Sequence, residues 1–514
     1  MIVLRKVFFI LLGFVFCLVT NSCSHDEIDH LGTDNIDPKL LSVSFFTEDN
    51  PLQLIEDISS RVVGDSIVEC LIRHIVSDKQ LIPVFEYEGD DVAVDGQLYS
   101  SGDKVDFYSC PRTITVLSNG KSKDYSLCVK FFTGLPIIWI ETDNREDIIS
   151  KEEYLNATFR LEDNGTTRSF DIEANVMIKG RGTSSWDAPK KGYRLKFDNK
   201  VSLLNEPNDK SWVLIANYFD KTMIRNSISY YLGAISNLDY SPSFHFVELM
   251  LNGRYNGTYM LADKLKISKD RVNVGDDGFL VEIDAEVLYE GGTFFTTDSI
   301  LSPISIKDPE VEVGDDNFVY LQQFFQSAEH TLFSDIFKDT NEGWQKYMDI
   351  TSFVDWWLIH EITKNTDALS FGKSCYMNLK RGGKLKMGPI WDFDLSLGNN
   401  DVPIISSIEG FIYEDYNNKW YKRLFEDPVF VQKIKERYDY FYNEKDNILR
   451  EINRESTYLQ YSVIENDCRW KILNQFLPNK NRDVWGSYNN EVQYLKTWLN
   501  QRMDWLKMAI DQMN

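Results

Sequence analysis

Two carboxylate centres stand about 25 residues apart in the C-terminal half of the chain. Asp367 follows Asn365-Thr366 at the end of an apolar helical stretch. Asp392 and Asp394 sit two apart in K-M-G-P-I-W-D-F-D, after an apolar approach. The connection carries a turn at Gly382-Gly383, so a hairpin joins them. This spacing suits a base together with a hard-cation site. Magnesium is held by one or two carboxylates, with its other positions left to water and phosphate. Phosphoryl transfer uses that arrangement, because positioning and charge neutralisation carry its catalysis. Two plainer or different chemistries stay open. Asp367 can cap a helix while Asp392 and Asp394 bind backbone at a turn, or Asp367 and Asp392 can act as a hydrolytic pair.

A complementary basic element lies upstream, in V-M-I-K-G-R-G-T-S-S-W-D-A-P-K-K-G-Y-R-L-K-F at 176–197. An apolar strand runs into Gly180-Arg181-Gly182-Thr183-Ser184-Ser185, and a return strand follows Pro189. Tyr193, Leu195 and Phe197 fall on one face of that strand, Arg194 and Lys196 on the other. Glycines and small hydroxyl residues let backbone approach a phosphate, while Arg181, Lys190 and Lys191 supply charge. A solvated basic turn would show the same residues.

The elements that must position these groups are legible in outline. Apolar residues including Phe353, Trp356, Trp357 and Ile362 predict a helix over 351–364. Between 212 and 235, Asp220 stands where an N-cap belongs. Met223, Ile224, Ile228, Tyr231, Leu232 and Ile235 then make an apolar helical stripe, which places Arg225 within reach of a neighbouring carboxylate. Asn252-Gly253 between apolar strands predicts a tight hairpin. Trp356, Trp357, Trp391 and Trp420 suit either stacking on sugars or core packing. Seven short segments between 40 and 132, rich in β-branched and aromatic residues and broken by turn pairs, predict a β-sandwich without concentrated acids, bases or metal ligands. Thr133-Gly134-Leu135-Pro136 is the joint. Strands precede helices beyond it, which predicts an α+β bilobal domain with a helical C-terminal part.

The ends and the composition narrow the setting. Arg5 and Lys6 precede an apolar run over 7–19 that is too short for a permanent span of about 20 residues but suits a signal peptide. It ends in T-N-S-C, so Cys23 is the expected acylation site of a lipid-anchored surface or outer-membrane protein. Asp26 and Glu27 resemble the export signal of Bacteroidetes lipoproteins. With 55 basic against 79 acidic residues, the chain is not a general nucleic-acid binder. Apart from Cys17 and Cys23, five scattered cysteines lack zinc spacing and read mainly as buried thiols.

Together these segments resemble the CotH family of atypical, kinase-like proteins. The resemblance rests on R-G-T-S-S-W…P-K-K-x-Y-R-L-K-F, W-x-L-x-A-N-x-x-D-x-T-x-x-R-N, V-E-L-x-L-N-G-x-Y-x-G-x-Y, N-x-D, P-I-W-D-F-D and R-L-F-E-D-P-V-F, closed by E-V-x-Y-L-K-T-W-L-x-Q-R-M-D-W-L. It implies ATP and Mg²⁺ (or Mn²⁺) as cofactors and transfer to Ser or Thr of a protein substrate. Asp367 is then the catalytic aspartate, and Asp392 the metal ligand with Asp394 as a second. Arg181, Lys190 and Lys191 bind phosphate. Two positions depart from the family: Ser374 follows Lys373 where Asn is usual, and Asp263 replaces a Glu. An exported kinase also lacks an obvious nucleotide supply, so a catalytically inactive kinase-shaped protein binding a surface glycan or protein partner is the alternative. The expected organisation is a signal peptide (1–22), an acidic tether (23–39), an Ig-like sandwich (40–132) and a kinase-like domain (135–512).

Overall fold

The computed structural model describes residues 37–513, apart from 55, 63–64, 76–77, 109–110, 163–170, 301 and 478–482. The signal peptide, Cys23 and most of the tether lie outside the described residues. Among the described residues no helix is long and apolar enough to cross a membrane.

The protein is multidomain, with a β-rich N-terminal region and a helical C-terminal part. All seven segments expected between 40 and 132 contain a strand, and the short strands Ile58–Arg61 and Gln97–Leu98 are additional. Lys39–Phe45 lies between Ile58–Arg61 and Val84–Glu88 in a three-stranded sheet, and a five-stranded sheet centres on Arg112–Ser118. Val43 and Phe45 from the first sheet share one buried core with Val68, Ile114 and Leu127 from the second.

After the joint the chain builds a closed barrel, which the expected hairpins did not foretell. Its strands are β1 (Ile137–Thr142), β2 (Leu155–Glu162), β3 (Ile172–Arg181), β4 (Gly192–Val201), β5 (Asp209–Ile215), β6 (Phe244–Leu251) and β7 (Arg254–Asp263), ordered β1-β2-β3-β4-β5-β7-β6. Neighbours are antiparallel except where β6 pairs parallel with β1, Ile137 opposite Glu248, and so closes the ring. Strict alternation fills the interior. Tyr193, Leu195 and Phe197 point inward with Ile178, Trp212 and Leu214, so the charged residues between them face outward. Asn252 and Gly253 both take positive φ, 51° and 75°, as a two-residue hairpin of this twist requires.

Helix α1 (Arg225–Ala234) follows β5. The N-cap is Ile224, not Asp220. Asp220 acts from outside the helix, accepting from the backbone N–H of Arg225 at 2.8 Å and pairing with its guanidinium at 2.5 Å. A second sheet, β9-β10-β8-β11-β12, is made of β8 (Phe279–Ile283), β9 (Phe294–Phe295), β10 (Ile304–Asp308), β11 (Cys375–Leu379) and β12 (Leu385–Met387). The longer helices beyond α1 are α2 (Asp316–Leu332), α3 (Ile350–Thr363), α4 (Pro428–Asn443), α5 (Lys445–Tyr458), α6 (Ser462–Trp470) and α7 (Tyr488–Asp511). Asp349 caps α3 by accepting from Ser352 N–H at 2.8 Å. Helix α3 is buried all round in the largest core, its Asp355 and Glu361 paired there with Arg437 and Arg502. Trp356, Trp357 and Trp420 are fully buried there, so these three are packing residues, not a sugar-stacking surface.

Candidate functional site

The outward face of β3 and β4, the loop between them, the end of β8 and the segments carrying Asp367 and Asp392 enclose a cleft of about 330 Å³. One wall is cationic. Lys179 and Arg181 project from β3 and Arg194 from β4, with Lys151 from the connection between β1 and β2. The alternation that buries Tyr193 and Leu195 places Arg194 on this wall, where its buried Nε has no hydrogen-bond partner among the described residues. Gly180 lets the loop close, since a Cβ there would lie 2.2 Å from the Trp186 ring. Arg181 lies over the Trp391 ring at 5.6 Å.

The facing wall is acidic. Asp367, Asp392 and Asp394 line it together with Glu282, Asp284 and Glu286. Asp367 stands in a single helical turn, Thr366–Leu369, beyond α3. Its carboxylate pairs with Lys373 Nζ at 3.4 Å, and Lys373 also lies 3.6 Å from Glu286. Burial pulls the Lys373 ammonium down, but Asp367, Asp392 and Glu286 together hold it above the ordinary lysine value. Asp392 has φ of 63°, and its Oδ2 meets the Ser374 hydroxyl at 3.5 Å. Burial raises its carboxyl pKa and the charge of Asp367 adds to this, while Lys373 and Arg181 oppose it. Thr183 in the basic loop donates to Glu286 at 2.7 Å, and Lys151 pairs with Glu290 at 2.9 Å. These two contacts bridge the walls.

Glu282, Asp284 and Glu286 do not stand out in the sequence as site residues, because V-E-I-D-A reads as ordinary sheet construction. The signal was present: carboxylates at every second residue leave β8 toward one side. Glu282 accepts from Ser374 N–H at 2.9 Å and pairs with Lys307 at 3.0 Å. Burial pushes its carboxyl up to about 7 against the pull of Lys307.

The structure does not bring every expected residue to the cleft. Lys190 is buried elsewhere, donating to Thr258 O and, at 2.8 Å, to Asn466 Oδ1. Burial presses its ammonium down to about 7. Lys191 donates to Trp186 O and lies 5.0 Å from that ring, so it braces the loop from behind. Asp263, the departure from Glu, pairs with Arg271 at 2.9 Å outside the cleft. Among the described residues no three acidic, imidazole or thiol groups converge to hold an ion unaided.

Comparisons with known proteins bear on this geometry. No curated protein matches the sequence. A crystal structure of a provisionally assigned glycoside hydrolase from Bacteroides thetaiotaomicron aligns with 56% of this chain and 82% of its own at 12% identity. Its TM-score of 0.16 is too low to bear on the fold. The sequence model of the CotH kinase protein family matches residues 178–506, from the basic hairpin through both aspartate segments to the last helix. The chain belongs to the CotH kinase protein family.

Proposed function

We propose that this chain is an exported, lipid-anchored phosphotransferase with a bilobal, kinase-like domain. It would use ATP with Mg²⁺ or Mn²⁺ to phosphorylate Ser or Thr of a protein, carried on an Ig-like spacer. The observation that carries this reading is the opposition, within one cleft, of Arg181 on a glycine-rich hairpin and of Asp367 and Asp392 on the facing wall. The Arg194 Nε, without a partner among the described residues, fits an anionic ligand on the same side, since buried donors are rarely left unmatched. The donor set also fits a hard cation that keeps water and phosphate in its shell and needs only one or two carboxylates. When bound, Mg²⁺-ATP supplies the phosphoryl group and neutralises its charge.

The residues divide the remaining work. Arg181 and Arg194 hold phosphate oxygens, with Lys191 acting through the turn it braces. Asp392 holds the ion, Asp394 standing second. Asp367 orients the acceptor hydroxyl and takes its proton, and Lys373 stabilises the charge that Asp367 carries. A second reading, a kinase-shaped binder for a surface glycan or protein, draws on the same lysine. Lys373 already sits between Asp367 and Glu286, neutralising carboxylates a metal would otherwise meet.

Nucleotide binding and transfer by the full-length chain, with and without Mg²⁺ or Mn²⁺, separate the two. Asp392→Ala is expected to remove metal-dependent ATP binding. Asp367→Ala is expected to leave binding nearly intact while transfer falls by about 10²–10⁴-fold, the usual scale for a general base. No ATP bound at millimolar nucleotide and metal, with neither substitution mattering, would leave the binder. Fatty-acid labelling lost in Cys23→Ala would support the anchor, and unchanged membrane retention would reject it.

A further inference from the structure

Asp392 faces the cleft from a backbone conformation, φ 63°, that residues other than glycine adopt at some cost and seldom without support. The support is specific. The peptide unit joining Asp392 to Phe393 is gripped at both of its polar atoms by side-chain amides from two different places in the fold. Asn365 Nδ2 donates to the carbonyl of Asp392 at 2.9 Å, and Asn226 Oδ1 accepts from the N–H of Phe393 at 2.7 Å. Both asparagines are nearly inaccessible, at 4% and 2% exposure.

The orientation of the Asn226 amide is itself fixed. Its Nδ2 donates to Asn217 Oδ1 at 3.2 Å, and Asn217 Nδ2 in turn donates to Met223 O at 3.2 Å. The oxygen of Asn226 is therefore the atom left for Phe393. On the far side of the peptide, the Phe393 ring is fully buried and stacks on His360, centroids 5.0 Å apart. A flip of the 392–393 peptide would break two buried hydrogen bonds and strand both amides, each an uncompensated desolvation.

Asn365 lies two residues before Asp367 on the same short segment. The element that carries one carboxylate thus holds the backbone of the other, and α1, through Asn226, fixes the opposite end of the same peptide. We infer that Asn365 and Asn226 are positioning residues that lock the 392–393 peptide, and with it the placement of the Asp392 carboxylate relative to Asp367. This inference rests on the phosphotransfer reading and deepens it. Neither asparagine touches the ligand; each acts through the aspartate.

The two amides make opposite demands, which gives the test its direction. Asn365 must donate, so the near-isosteric Asn365→Asp removes the needed N–H as fully as Asn365→Ala does. Asn226 must accept, so Asn226→Asp keeps the contact with Phe393 N–H that Asn226→Ala deletes. ATP binding to the full-length chain is titrated with MnCl₂ by calorimetry, beside thermal unfolding of each variant. Asn365→Asp, Asn365→Ala and Asn226→Ala are expected to raise the Mn²⁺ concentration needed for half-maximal ATP binding tenfold or more. ATP binding without metal should be unchanged, and Asn226→Asp should lie closer to wild type than Asn226→Ala. A wild-type Mn²⁺ requirement in folded variants overturns the inference, as does loss of folding in all of them, since either makes the amides merely structural. No Mn²⁺-dependent ATP binding by the wild type sinks the phosphotransfer reading itself, and this inference with it.

Discussion

Arg181 and Lys190 are nine residues apart on one basic hairpin, yet their surroundings assign them opposite work. Arg181 faces the cleft across Trp391, whereas Lys190 is buried against Thr258 O and Asn466. Arg181→Met is expected to weaken ATP binding by roughly 1–3 kcal/mol, the scale of a charge-assisted hydrogen bond, with little change in stability. Lys190→Met should do the reverse. It takes the ammonium donor from the buried Thr258 carbonyl and leaves Asn466 Oδ1 with only the Thr258 N–H, costs roughly 1–3 kcal/mol of folding stability, and leaves affinity alone. Paired binding and urea-unfolding measurements check both. Glu282 gives a pH signature. Its carboxyl ionises near 4.5 when unfolded and near 7 in the fold, so the folded state holds the proton more tightly. That contribution is fully present below pH 4.5 and is lost as pH rises through 7. Glu282→Gln cannot ionise. Its stability relative to wild type should therefore climb between pH 5 and 8.5, by roughly 3 kcal/mol at most at 1.36 kcal/mol per pKa unit. A constant difference across that range would show that the carboxylate is already ionised throughout.

At the scale of elements, the basic hairpin depends on one close approach. Gly180 passes under Trp186, whose ring would lie 2.2 Å from an added Cβ. Because that ring also carries Lys191, Gly180→Ala is expected to move the whole loop, costing roughly 1–3 kcal/mol as overpacking does and lowering ATP affinity together with stability. Unchanged melting and affinity would mean that the loop repacks freely. Elements of this kind were readable because their causes are local. The alternation of Tyr193, Leu195 and Phe197, the Asn252-Gly253 turn and the apolar residues of α3 each lie within one segment. Barrel closure was not readable, since it pairs Ile137 with Glu248 across more than a hundred residues. The acidic wall was read only in part. Asp367 and Asp392 stood out beside helix and turn signals, but Glu282 matters through Lys307 and Ser374, which only the second sheet brings to it. Asp220 misled for a similar reason. Its carboxylate serves Arg225 from outside the helix, a role no capping position encodes.

For the molecule as a whole, the open question is how the N-terminal β-rich region is held. The joint at Thr133–Pro136 reads in the sequence as a domain boundary, and its surroundings are buried and bonded. Thr133 donates to Glu248 at 2.8 Å on the barrel's closing strand, and Arg73 donates to Thr133 O at 3.3 Å while lying over Tyr461. Ile75 packs with Ile137 and Met250. One side chain on α6 gathers the contact: Glu465, almost fully buried, accepts from Ile75 N–H at 3.3 Å and bonds His74. The next residue, Asn466, holds Lys190 at the root of the return strand. The N-terminal region is thereby braced to the hairpin through two successive residues of one helix. Removing the Glu465 carboxylate leaves the buried Ile75 N–H without its partner, a loss of roughly 1–3 kcal/mol. That loss falls on the interface, because the hydrogen bonds of the Glu465 carboxylate run across it to His74 and Ile75. Glu465→Ala should therefore free the joint while each region stays folded. Limited proteolysis of the variant is expected to cut near Gly134-Leu135-Pro136 and release a fragment of roughly 375 residues, the span left beyond the joint in a chain of 514, under conditions where the wild type is protected there. Equal cleavage of the two proteins at the joint would show that the contact through Glu465 does not hold it shut.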